Sequence, residues 1–232
     1  MPSVLAIESS YEVASVALRS GDRLWSRQVD GVQSYSQSLL PMIQAVLADA
    51  GMKLNQCNAI AFSAGPGSFT GVRTACGIAQ GLAYGADLPL LQVDTLAAAA
   101  QACHDATDAP SVLVVLDARM GEVYWGQYRF DGNCSVVTAP QLGTPASILP
   151  VGQVVLCGNG ATVHAVAISA IAFGGAGCSE LMPHARQIAL LGQRMFVRGE
   201  TVAARDAQPV YLRNQVALTT LERALAKAES MA

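Results

Sequence analysis

The sequence predicts an α/β chain in two halves of related topology, each opening with a β-hairpin. The first observation is a repeated pattern of apolar strand, carboxylate, polar turn, glutamate and apolar strand, at residues 3–19 and again at 112–130. Aligned on each other, Asp117 falls on Glu8, Glu122 on Glu12 and Val123 on Val13, with a slightly longer second turn. So short a correspondence means two halves only if it is not chance. The second observation is the alternation of short apolar runs with helix-compatible stretches. The third is length: 232 residues bury roughly 70–75% of the unfolded surface, enough for one large or two small domains.

The elements follow in order. Val4-Leu5-Ala6-Ile7 is a strand, Glu8 to Glu12 a polar turn, and Val13 to Leu18 the returning strand. A third strand runs through Leu24 to Val29 after Gly21-Asp22. A helix over about 36–50 carries Leu39, Leu40, Met42, Ile43, Val46 and Leu47. Their arc of about 160° exceeds the ~100° stripe of a one-sided surface helix, so this helix can pack on two sides. Ala59-Ile60-Ala61-Phe62-Ser63 is a buried strand, and a helix over about 70–84 follows it. That helix places Gly77, Gly81 and Gly85 on one edge, each costing about 1 kcal/mol relative to alanine. Either another backbone approaches there, or the helix lies tightly on its own sheet. Leu90 to Val93 is a strand, Thr95 to Cys103 a helix, and 105–110 a linker. Beyond the second hairpin, a helix over 183–196 is expected on Ile188, Leu191 and Met195, an extended segment at 209–213, and a terminal helix over 216–228.

Composition narrows the function classes. Charged residues are 13% and hydrophobic residues 52%, against about 25% charged in ordinary domains. Part of the surface is therefore apolar, which points to a partner or to self-association. A pI near 5.5 argues against this chain being the main grip on nucleic acid. Cys57, Cys76, Cys103, Cys134, Cys157 and Cys178 form no C-x-x-C pair, and the start has no basic segment before Glu8. Reduced thiols in a cytoplasm, with no signal peptide, are expected. Residues 132–179 carry no Asp, Glu, Lys or Arg, but their most apolar part is too short and weak for a membrane span.

The densest motif is Gly65-Pro66-Gly67-Ser68-Phe69-Thr70-Gly71-Val72-Arg73. Ser68 or Thr70 can cap the helix behind it, where the dipole favours an anion. The spacing matches neither a P-loop nor a dinucleotide fingerprint, and on spacing alone a strand–turn–helix junction is favoured over an anion cradle. Glu8 and Asp117 can face one cleft and share a nucleotide-bound Mg²⁺, or bond turn N–H groups; the second reading is favoured. His104, His164 and His184 form no metal pair, and no G-x-S-x-G exists.

Four collinear runs carry a family resemblance: Val4-Leu5-Ala6-Ile7-Glu8-Ser9-Ser10, the 65–73 run, Asp117-Ala118-Arg119-Met120-Gly121-Glu122-Val123-Tyr124, and Pro209-Val210-Tyr211-Leu212-Arg213-Asn214. They closely resemble the bacterial TsaB (YeaZ) family. The resemblance implies an actin-like ATPase (sugar kinase/Hsp70/actin) fold of two lobes, here 1–108, with the 216–232 helix allowed to join it, and a smaller 109–215. It implies a non-catalytic partner of the transferase TsaD, with TsaE, in making N6-threonylcarbamoyladenosine at position 37 of tRNAs that read codons beginning with A. TsaC makes the threonylcarbamoyl-adenylate, a homodimer forms when TsaD is absent, and tRNA is met only through the complex.

In the family the first two helices build the partner contact. Carried over, this makes Leu39, Leu40, Ile43, Leu47, Arg73, Gly77, Gly81 and Gly85 the candidate interface. Glu8, Ser9, Ser10, Gly65, Gly67, Ser68 and Asp117 are the weaker nucleotide-binding candidates. No firmly bound cofactor or metal is expected, and ATP with Mg²⁺ only at the level of the complex. The chain departs from the family at Glu8, where Asp is usual, at Tyr35, where His is frequent, and over about 143–184, which is short and unlike the family. The last departure argues against nucleotide binding in the second lobe. An actin-like enzyme binding or hydrolysing ATP through Glu8, Asp117 and the glycine turn is the alternative, and a protease a far weaker one.

Overall fold

The computed structural model describes residues 1–30, 35–169 and 177–213; the helix expected over 216–228 lies outside the described residues. The chain forms β1 (Ser3–Glu8), β2 (Val13–Ser20), β3 (Arg23–Asp30), α1 (Tyr35–Ala50), β4 (Ala59–Gly65), α2 (Phe69–Ala86), β5 (Leu90–Asp94) and α3 (Thr95–Thr107). There follow β6 (Ser111–Asp117), β7 (Val123–Phe130), β8 (Cys134–Gly143), β9 (Val155–Cys157), the short helices α4 (Gly160–Val163) and α5 (Ala165–Ile168), and α6 (Ala185–Val197).

The first sheet has the order β3-β2-β1-β4-β5 and the second β8-β7-β6-β9. In each, a hairpin opens the sheet and its first strand pairs in parallel with a later one, β1 with β4 and β6 with β9. The second sheet thus repeats the order of the first four strands of the first. Each lobe thus carries one mixed sheet that opens with a hairpin, as the sequence predicts.

Strand alternation assigns the layers. Leu5 and Ile7 of β1 face one way, onto Leu39, Ile43 and Val46 of α1 and Ala75 and Ala79 of α2. Val4 and Ala6 face the other way, onto Ile188, Ala189 and Leu191 of α6. Each valine, leucine or isoleucine among them, fully buried, contributes about 1.5–3 kcal/mol. α3 presents Leu96, Ala99, Ala100 and Cys103 to Val112, Val114, Leu116 and Tyr128 of the second sheet. The opposite face of that sheet, through Leu113, Val115, Trp125 and Leu156, is closed by Ile148 and Ile168.

Several expectations are corrected. α3 continues to Thr107 and stops on Asp108 in the left-handed region, so the connection to β6 is shorter than a 105–110 linker. β8 and β9 escaped the sequence reading; β8 carries Pro140, and β9 has three residues. α6 falls within the 109–215 half by sequence order, yet it packs on the first sheet. Gly192 allows this approach: a Cβ there would sit 2.9 Å from that of Ala61. The Gln193 amide fixes it, accepting from Arg19 Nε at 2.8 Å and donating to Pro2 O at 2.6 Å. Among the described residues no helix is long and apolar enough to cross a membrane.

Candidate functional site

Two features can carry function: a cleft between the lobes, and the outer face of α1 and α2. The cleft, of about 330 Å³, lies where the β1–β2, β4–α2 and β6–β7 turns meet the 210–213 segment.

Its first-lobe wall is made of two interlocked turns. Ser68 N donates to Ser10 O at 2.8 Å, and Ser9 Oγ donates to Gly71 O at 2.9 Å. A Cβ on Gly67 would lie 2.7 Å from that of Ser10, and one on Gly71 would overlap the Ser9 carbonyl oxygen. Glycine is needed here for close backbone packing. Of the two cap candidates, Ser68 is the one that accepts from Gly71 N, at 3.5 Å. The N–H groups of Ser68, Gly71 and Val72 are thus spent inside the junction.

Glu8 and Asp117 do not face the cleft together. Glu8 is fully buried behind it. Its Oε1 accepts from Ser10 N at 2.6 Å and from the Ser10 hydroxyl, while its Oε2 has no partner. Burial pushes its pKa above the usual carboxylate range, against the opposing pull of the two Ser10 hydrogen bonds and the nearby Ser63 hydroxyl. Ser9 and Ser10 are buried with it. Gly65, in the left-handed half of backbone space, holds the carbonyl of Val210 2.5 Å from where a Cβ would be. Gly67, Ser68 and Asp117 do line the cleft.

Asp117 is enclosed by partners. His164 Nε2 donates to its Oδ1 at 3.1 Å, Arg119 N donates to the same oxygen at 3.2 Å, and Arg119 Nη1 lies 3.3 Å from Oδ2. Arg119 also reaches Glu12 at 3.2 Å, and Arg213 donates to Glu122 at 2.6 Å and to Ala118 O at 3.1 Å. Every charged side chain lining the cleft, namely Glu12, Asp117, Arg119 and Arg213, therefore has an opposite charge beside it. The Tyr11 hydroxyl is buried without a partner, and burial raises its pKa well above the usual value, helped by Tyr124 and nearby carboxylates. Among the described residues no group of three or more His, Cys, Asp or Glu is placed to hold a metal ion.

The helical face separates the candidate interface residues. Leu39 and Ile43 are core residues at 0% and 2% exposure, so they cannot meet a partner without unfolding α1. Leu40 is 46% exposed, Leu47 half-buried and Arg73 exposed. Gly77, Gly81 and Gly85 are exposed, and among the described residues nothing lies within 4 Å of a Cβ added to any of them. The glycine edge therefore does not rest on its own sheet; α2 lays Val72, Ala75, Cys76, Ala79 and Ala83 there instead. Asp49 and Arg73 are the charged residues of α1 and α2, and Asp49 is paired with Arg27 at 2.6 Å. The Arg73 guanidinium stacks 3.6 Å from the centre of the Phe69 ring and donates through Nε to the Tyr211 hydroxyl at 2.6 Å.

Comparison with known proteins assigns the chain. The family model described as TsaD, tRNA N6-adenosine threonylcarbamoyltransferase, matches residues 28–227. The tRNA threonylcarbamoyladenosine biosynthesis protein TsaB of Escherichia coli (strain K12) is 38% identical over 221 residues, covering 92% of this chain and 96% of its own length. This chain belongs to the TsaB family. TsaB of Haemophilus influenzae is 34% identical over 224 residues, with 92% and 94% covered. The solved structure of YeaZ from Pseudomonas aeruginosa, the same family, matches with a TM-score of 0.85 at 36% identity, over 91% of this chain and all of that one.

Sequence reasoning missed His164, Phe69, Tyr84 and Tyr211. His164 meets Asp117 across 47 positions and Tyr211 meets Arg73 across 138. No local pattern signals either contact. Phe69 and Tyr84 were legible: at 100° per residue they fall near Arg73 and Gly77 on the α2 surface, and they are 44% and 85% exposed.

Proposed function

We propose that this TsaB family member is a non-catalytic scaffold and activator of the TsaD-containing complex that makes N6-threonylcarbamoyladenosine at position 37 of tRNAs reading codons that begin with A. The observation that carries the reading is the bare edge of α2. Three exposed glycines, each costing about 1 kcal/mol in a helix, leave backbone open where nothing among the described residues approaches it. Such an edge suits the close approach of another backbone, and Leu40, half-buried Leu47 and exposed Tyr84 supply apolar area around it. In this reading TsaD occupies the face in a heterodimer and a second copy of the chain occupies it when TsaD is absent. TsaE, tRNA and Mg-ATP are engaged at the level of the complex, in the cytoplasm. Sedimentation of the chain alone and mixed with TsaD tests this: a heterodimer should replace self-association, and an unchanged profile would sink the reading.

A second reading, an actin-like ATP-binding enzyme, draws on the interlobe cleft, with Ser68 at a helix N-terminus on one side and Asp117 on the other. It is disfavoured by Glu8, which lies behind the wall, and by the cleft charges, which already neutralise each other. Calorimetry of the isolated chain with Mg-ATP decides it; measurable heat of binding abolished by Asp117→Asn would revive it.

A further inference from the structure

The segment around Tyr211 touches both lobes, and its contacts differ in kind on the two sides. On the first lobe it is held along its length. Val210 N donates to Ala64 O at 2.7 Å, Gln92 Nε2 to Gln208 O at 2.7 Å, Gln80 Nε2 to Ala207 O at 3.0 Å, and Arg73 Nε to the Tyr211 hydroxyl at 2.6 Å. On the second lobe it is held by one side chain. Arg213 donates to the Glu122 carboxylate at 2.6 Å and to Ala118 O at 3.1 Å, and contacts Met120 Sδ at 3.3 Å. It grips the two sides of the β6–β7 turn, whose Arg119, Met120 and Gly121 all lie in the left-handed region.

We propose that Arg213 is a latch across the mouth of the cleft, so that the opening between the lobes is set by the chain's own ion pair with Glu122. The lobes are joined elsewhere at the base. There α3 runs from the end of β5 onto the second sheet, and the Tyr128 hydroxyl donates to Asp94 at 2.5 Å. A joint at the base and a tie at the mouth make a hinge with a clasp. The other pair at the mouth, Arg119 with Glu12, does not serve the same purpose. Its side chains are 75% and 50% exposed, where an ion pair contributes little. The Arg213 and Glu122 side chains are 17% and 35% exposed, and the geometry is held by additional bonds to backbone and sulfur. Both partners belong to the chain, so the latch needs no bound group.

Hydroxyl-radical footprinting of the full chain tests the latch, because Tyr11 and Tyr124 line the cleft while Tyr211 rides on the strap itself. Arg213→Gln should raise the oxidation rate of Tyr11 and Tyr124 at least severalfold, and Glu12→Gln should leave both as in the unaltered chain. Glu122→Gln, which removes the charge from the other side of the pair and leaves Arg213 its bond to Ala118 O, should expose the same two tyrosines, and it keeps the proposal exposed to refutation if Arg213→Gln alone unfolds. Faster oxidation of Tyr211 without any change at Tyr11 would mean that only the strap frays. That outcome overturns the latch, as does a folded Arg213→Gln or Glu122→Gln chain with both cleft tyrosines still protected.

Discussion

Glu8 shows how one residue can look functional in the sequence and prove to be a matter of burial. It sits at the end of β1, where its place in the hairpin allows a nucleotide-facing carboxylate, but it is sealed behind the β4–α2 turn with one oxygen unpartnered. Its folded pKa is raised above 4.5. For an acid this means the folded state favours the neutral form, so the contribution of Glu8 to stability is complete below 4.5 and is lost as pH rises through that value toward the folded pKa. Glu8→Gln keeps the oxygen that accepts from Ser10 and offers an N–H toward Ser63, whose hydroxyl is also without a partner. It should stabilise the chain at neutral pH by on the order of 1 kcal/mol, with the gain vanishing in acid. Thermal melts across pH check this; a lower Tm at neutral pH would show that the charge is stabilised by something other than Ser10. The strand β1 was legible in the sequence as an apolar run, but the direction in which its last carboxylate points depended on how two turns interlock.

At the level of elements, glycines of α2 that look alike in sequence divide into two kinds. Gly71 is locked against the Ser9 carbonyl, so Gly71→Ala should disrupt the junction and lower Tm steeply. Gly77 and Gly81 meet nothing among the described residues. Alanine at both should stabilise the isolated chain by about 1 kcal/mol each, or some 2–4 °C in Tm per kcal/mol at this size. If the edge is a docking surface, the same double variant should bind TsaD more weakly. Higher stability together with weaker binding is an outcome that a purely structural role for these glycines does not produce. α6 offers an independent element-scale test at its cap. His184 Nδ1 accepts from Arg186 N at 3.1 Å, and Nε2 donates to Gln28 at 3.1 Å. Burial, aided by Arg186, lowers the His184 pKa from 6.5 to about 4. The folded state excludes the proton, so the contribution is complete above 6.5 and is lost as pH falls toward 4. Urea titrations of His184→Asn, which retains a capping side chain, should show less loss of stability through that window than the unaltered chain.

For the whole molecule, the two-lobed plan was legible because each lobe opens with the same hairpin, and the first strand, buried on both faces, reads as a continuous apolar run. What was not legible is which sheet each later element joins. β8 is an edge strand with a mixed exposure pattern and a register shift opposite Gly126, and α6 returns to the first sheet across nearly the whole chain. The consequence is that residues 1–108 are not a folding unit. Without α6 they leave Val4, Ala6, Ala17, Ala61 and Leu91 uncovered on one face of the first sheet. At about 25 cal/mol per Å² of apolar surface, losing the cover over five aliphatic residues is a large fraction of the 5–15 kcal/mol that holds a typical domain folded. A fragment of residues 1–108 should aggregate or remain molten. Joining residues 183–213 to it through a flexible linker should recover a cooperative melt, since Gln193, Gln80 and Gln92 then regain their partners. A soluble, cooperatively melting 1–108 fragment would show that the lobe boundary follows sequence order after all, and that α6 merely decorates the sheet.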